Sequence, residues 1–107
     1  MTRCLLNAPV LTAYGRWRFD GPLSIEAARA FVRAPGVVSA IGHAATAEWL
    51  SAALGAPVAC ARRSVAMQPG DEALVLRLLQ RLPEGALLTA ADIERVGAEF
   101  GVLTREG

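Results

Sequence analysis

A chain of 107 residues is the length of one ordinary domain with room for one core. Its eleven basic side chains, all arginine, stand against ten acidic ones for a formal net charge of +1, which argues against a long nucleic acid held on a broad basic surface and leaves room for a small, local anion. Hydrophobic residues make up 53% of the chain, yet no apolar run approaches the roughly 20 residues that span a bilayer. The surplus is expected to cover an oligomer interface rather than to enter a membrane.

In chain order, residues 2–7 read as a short buried strand, and residues 16–19, Arg-Trp-Arg-Phe, alternate as a half-buried strand does. Ser24 can cap a helix running to about Ala34, with Ile25, Ala28, Phe31 and Val32 on one face, and Pro35 and Gly36 stop it. Residues 37–41 read as another buried strand. The next helix starts near His43, the single histidine, and turns Ala47, Leu50, Ala53 and Leu54 inward until Gly55 ends it. Residues 58–67 are expected to form a strand, followed by a turn at Gln68-Pro69-Gly70-Asp71.

The run 72–81 is ambiguous, because propensity favours a helix while Leu74, Leu76 and Leu78 also share one face of a strand. Thr89, with Asp92 three residues on, predicts a capping box and a short helix to about Val96, and residues 100–103 return as a final strand. Strands and helices alternating without repeat or linker predict an α/β fold, one domain over 1–107, built on a mixed sheet of about five strands with flanking helices. Cys4 and Cys60 fall in apolar strand-like runs with no CxxC pair, so both are expected to be buried and inert. With no signal peptide evident, the expected compartment is the reducing cytoplasm, the host's if the gene is viral.

Three segments occur together and in order: "LLNAPVLTAYG" at 5–15, "VSAIGHAATAEWLSAALG" at 38–55 and "MQPGDEALVLRLLQRLPEG" at 67–85, followed by a tail, "EFGVLTRE". In this combination the chain resembles the viral anti-CRISPR ring nuclease family, whose members also occur in bacterial type III CRISPR loci. The resemblance implies a homodimer that binds cyclic tetra-adenylate, the second messenger of type III CRISPR immunity, and cuts it with neither metal nor cofactor. It also implies that 72–81 is a strand. By the same resemblance His43 is the family's catalytic histidine, and Arg81 and Glu84 are the arginine and glutamate bracketing the "RLPEG" turn. Arg62, with Arg63 beside it, is the arginine opening the strand before the Pro-Gly-Asp turn, and Asn7 is the asparagine of the first motif. Arg77 departs from the pattern, standing where a polar, often amide, side chain is expected.

The chemistry can be argued beside the resemblance. Cleaving a phosphodiester next to a ribose 2′-OH needs in-line attack, relief of charge on the phosphate and a proton for the leaving 5′-oxygen. Histidine is the side chain type that exchanges a proton near neutral pH, and arginine offers paired N–H donors to phosphate oxygens. Glu84 would accept a hydrogen bond either from His43 or from a ribose hydroxyl. On a strand, residues four apart point to one side, so Arg77 and Arg81 are both assigned to ligand binding, with Arg77 nearer the rim. One histidine and two separated cysteines do not form a metal site. Two other readings stand beside the nuclease: a non-cleaving sponge for cyclic nucleotides, and a regulatory dimer that binds DNA or RNA. The retained His43 argues against the first, and the near-neutral charge against the second.

Overall fold

Of the run 72–81 left open between helix and strand, residues 72–78 form a strand because it is central, with Ala73, Leu74, Val75 and Leu76 all buried on both of its faces. The structure, a computed structural model, describes residues 2–80 and 89–107. Along the chain these form β1 (Arg3–Leu6), β2 (Trp17–Asp20), α1 (Ile25–Arg33), β3 (Val37–Ser39), α2 (Ala44–Leu54), β4 (Glu72–Leu78), α3 (Ala90–Val96) and β5 (Ala98–Arg105). The five strands make one mixed sheet in the order β2-β5-β4-β1-β3. Its β3, β1 and β4 run parallel, and β5 is antiparallel to both β4 and β2.

Alternation along each strand divides the core in two. Leu5, Leu74, Leu76 and Phe100 pack under Ala28 of α1 and Ala47, Leu50 and Leu54 of α2. Cys4, Leu6, Ala73, Val75 and Leu103 face the other way and carry Met67, Val65 and Trp17 instead of a helix. Burying a leucine-sized side chain fully contributes roughly 1.5–3 kcal/mol, so both faces need a cover. On the open face the cover is irregular chain held by polar contacts. Arg105 stacks over Trp17 at 5.8 Å and donates to the carbonyls of Met67 at 2.6 Å and Tyr14 at 3.4 Å.

Local signals explain the helix ends. Ser24 accepts from the N–H of Ala27 and starts α1. The reciprocal capping box of Thr89 and Asp92 starts α3, and Gly55 ends α2 in the left-handed conformation, φ 65°. Two expectations are corrected. Residues 58–67 are not a strand; only Cys60 bridges the sheet, opposite Ile41. Their apolar residues serve two different faces, Val58 against the helix-side core and Val65 and Met67 against the other. The segment therefore passes the end of β3 rather than pairing along it. Cys60, expected to be buried, is exposed, whereas Cys4 is buried and its thiol is pushed up to about 11 by burial first and by the charge of Asp71 second.

Asp71, the turn residue before β4, is also buried. Burial opposes its charge, but the N–H groups of Thr2 and Gln68 donate to the carboxylate at 2.7 and 2.8 Å, and with Arg105 nearby its pKa is held below the usual aspartate range. A lowered carboxylate pKa contributes stability that is present above the ordinary aspartate range, about pH 4, and is lost as pH falls through the folded value. Asp71→Asn is expected to lower the melting temperature at pH 7 by roughly 4–8 °C, the shift about 1 kcal/mol makes in a domain of this size. Melting curves from pH 7 to 2.5 check it, since the gap to wild type should close as the pH falls.

Candidate functional site

Parallel strands leave their carboxyl ends on one edge of the sheet, where chain turns away and side chains converge. Here that edge is formed by the ends of β1 and β3, at Asn7 and Ala40, and by the start of α2. A hollow of about 410 Å³ lies there, lined by Asn7, Ala40, Gly42, Arg62, Arg63 and Ser64. A smaller one of about 290 Å³ adjoins it, sharing Asn7, Ala40, Arg63 and Ser64 and reaching under Val10 and Thr12. Two arginines that lie far from Asn7 in sequence thus share one cleft with it.

The passage of 58–67 past β3 is what brings the arginines to this edge. Ser39 Oγ donates to the carbonyl of Ala59 at 2.6 Å, and the N–H of Ala61 donates to the carbonyl of Ile41 at 2.8 Å. Arg62 follows directly, its Nε donating to the carbonyl of Gly42 at 3.3 Å. Arg62 belongs to this irregular crossing and does not open a strand.

His43 is the N-cap of α2, in extended conformation, exposed, and its side chain makes no capping bond. The first helical bond runs from the N–H of Ala47 to the His43 carbonyl at 3.0 Å, which leaves the N–H groups of Ala44, Ala45 and Thr46 without helical acceptors at the positive end of the helix. In the same turn the Thr46 hydroxyl is buried with no partner among the described residues. His43 itself is not among the cleft-lining residues; its neighbour Gly42 is. The edge therefore gathers two guanidinium groups, an amide, the start of a helix and an exposed imidazole one residue from the lining. That combination can hold a phosphate.

Arg77 lies elsewhere. It projects from β4 directly opposite Glu99 of β5, at 3.9 Å from its carboxylate, and lines a separate hollow of about 250 Å³ with Phe19, Pro22 and Gly101. Arg81 and Glu84 lie outside the described residues. Sequence reasoning missed Ser64, Gly42 as a lining residue, and Thr46. Gly42 alone had a signal, as the middle of Ile41-Gly42-His43. Among the described residues no helix is long and apolar enough to cross a membrane. Among the described residues, Val10, Leu11, Tyr14, Phe19 and Leu79 are the large exposed apolar side chains, where part of the apolar surplus resides.

The sequence pattern described as STIV B116-like matches residues 3–100. ORF117 of Acidianus two-tailed virus is 44% identical over 69 residues, which is 64% of this chain and 59% of that protein. YddF of Bacillus subtilis is 36% identical over 67 residues, 63% of this chain and 62% of the relative. Protein 26 of Sulfolobus islandicus filamentous virus is 32% identical over 88 residues, covering 78% and 75%. The chain thus spans about three fifths of the first two relatives. Among solved structures, B116 of Sulfolobus turreted icosahedral virus superposes with a TM-score of 0.73 over 98% of this chain and 100% of its own, at 24% identity. That likeness shows the α/β fold.

Proposed function

The chain belongs to the STIV B116-like family, and from that premise and the edge cleft we propose that it is a metal-independent ring nuclease acting on cyclic tetra-adenylate. The observation that carries this reading is the meeting of Asn7, Arg62 and Arg63 in one cleft beside Gly42 and the start of α2, with His43 adjacent. Arg62 and Arg63 neutralise non-bridging phosphate oxygens, and the positive end of α2 next to Gly42 adds to the field at the cleft. The ribose 2′-oxygen attacks in line, its bond to phosphorus forms, and the bond to the 5′-oxygen breaks. His43 gives the proton that the departing 5′-oxygen needs, while the 2′-hydroxyl proton passes to a base or to water. The family resemblance assigns Arg81 to the phosphate as well, and Glu84 to His43 or a ribose hydroxyl. The products are linear di-adenylates ending in 2′,3′-cyclic phosphate.

A homodimer follows from the same reading. Each chain carries one histidine, and a rotationally symmetric ring cut at two opposite bonds needs two copies across a two-fold axis. The exposed Val10, Leu11 and Tyr14, beside the smaller hollow, supply apolar surface for such a contact.

Labelled cyclic tetra-adenylate incubated with the purified protein in EDTA, with products resolved over time, tests the activity. Di-adenylate products are the expected result. An intact ring that stays bound would turn the reading into a sponge, and no binding would overturn both. Light scattering is expected to give twice the chain mass with ligand present; a monomer with and without ligand would defeat the dimer.

A further inference from the structure

We propose that Gly42 is a positioning residue, its missing side chain letting Arg62 lie across the backbone just before His43 and so fixing where the guanidinium stands in the cleft. This rests on the reading above for its ligand, but the contact belongs to the protein alone. A Cβ built at position 42 would meet Arg62 Cγ at 3.1 Å, with Nε at 3.8 and Cδ at 3.9 Å. Beyond the two adjoining residues no other atom lies as near, so the space that glycine leaves is the space Arg62 fills. The usual reason for a glycine is absent, since the positive-φ glycines among the described residues are Gly15, Gly36, Gly55, Gly70 and Gly97. The backbone at 42 accepts an L side chain, and the obstacle is one flexible stem.

That stem matters because arginine at an exposed position has many rotamers to lose on binding an anion. Arg62 is exposed, and its Nε is already committed to the Gly42 carbonyl at 3.3 Å. One donor is used to hold the side chain down, and the two terminal amino groups remain for a phosphate. An alanine at 42 moves Cγ by a few tenths of an ångström, lengthens a bond that is already at 3.3 Å, and returns the guanidinium to its full rotamer set. Arg63, next in sequence and lining both adjoining hollows, makes no such contact with the Gly42 carbonyl. The two arginines therefore differ in kind, one preorganised and one not.

Two measurements test this. In the ligand-free protein, the Arg62 Nε–H resonance, identified by its absence in Arg62→Ala, is expected to be resolved from the other arginines and to collapse to the averaged position in Gly42→Ala. A wild-type resonance already averaged overturns the proposal whatever the protein binds. For binding, Gly42→Ala and Arg62→Ala are combined in a cycle on a His43→Ala background with cyclic tetra-adenylate. Gly42→Ala is expected to weaken affinity about tenfold when Arg62 is present and not at all when it is absent. Equal loss in both backgrounds overturns the proposal. Should Gly42→Ala lower the melting temperature, adding Arg62→Ala restores it if the clash is with Arg62, and a double variant that stays destabilised counts against. If the wild type does not bind the ring, the function proposed above falls while the resonance still decides the role of Gly42.

Discussion

His43→Ala is expected to lower the single-turnover rate of ring cleavage by roughly 10²- to 10⁴-fold, the range for loss of a general acid, while affinity stays within about threefold. The split follows from where the residue sits. The imidazole is exposed at the N-cap, makes no capping bond, and is not among the side chains that line the cleft. On the proposed reading, ground-state binding rests on Asn7, Arg62, Arg63, Arg81 and the backbone, none of which His43→Ala removes. The proton to the 5′-oxygen is needed only as that oxygen leaves. Because the side chain contributes no cap, alanine costs the helix little, whereas His43→Asn introduces a side chain that caps helices well. The asparagine variant is therefore expected to melt no lower than wild type and to be as inactive as the alanine variant. That pairing separates a chemical role from a structural one. Cleavage by either variant within a fewfold of wild type removes His43 from the mechanism.

The sequence carried the elements whose signals are local. Ser24, Gly55 and the pair Thr89 and Asp92 act within one turn of the chain, and each does in the structure what its spacing predicts. The run 72–78 was unreadable for the opposite reason, since Leu74, Leu76 and Leu78 fit either period and only the neighbours β1 and β5 decide. Residues 58–67 misled because two apolar runs, Val58 to Ala61 and Val65 to Met67, also suit a chain that crosses from one face of a sheet to the other. That misreading hid the site in part. Asn7, Arg62 and His43 could be named by resemblance, but a cleft shared by Asn7 and Arg62, and the contact of Arg62 with Gly42, depend on how the crossing passes Ile41. Nothing in the sequence marks Ser64 or Thr46.

Arg81→Ala is expected to cost roughly 2–5 kcal/mol of affinity for the ring, and Arg77→Ala less than about 1 kcal/mol. The two arginines are four residues apart in the sequence, and one strand over 72–81, as the resemblance implies, would give them a common side and a common task. The structure gives Arg77 a different one. Its side chain is about half exposed, at 53%, with the guanidinium 3.9 Å from the Glu99 carboxylate, in a hollow that shares no residue with the one holding Asn7 and Arg62. An arginine already facing a carboxylate brings little net charge to a phosphate, and its loss should show mainly in association rate and salt dependence. Arg81 is assigned to the phosphate by the "RLPEG" resemblance, where truncation leaves a bound anion without its partner. Affinities and single-turnover rates for both variants at about 50 and about 300 mM salt, a roughly sixfold range across which surface charges become screened, distinguish the roles. A small Arg77 effect that vanishes at high salt, beside a large Arg81 effect that persists, matches this assignment. If Arg77→Ala is the more damaging at both salts, the ring reaches across the open face of the sheet to β4 and β5, and Phe19 and Glu99 become the next residues to replace.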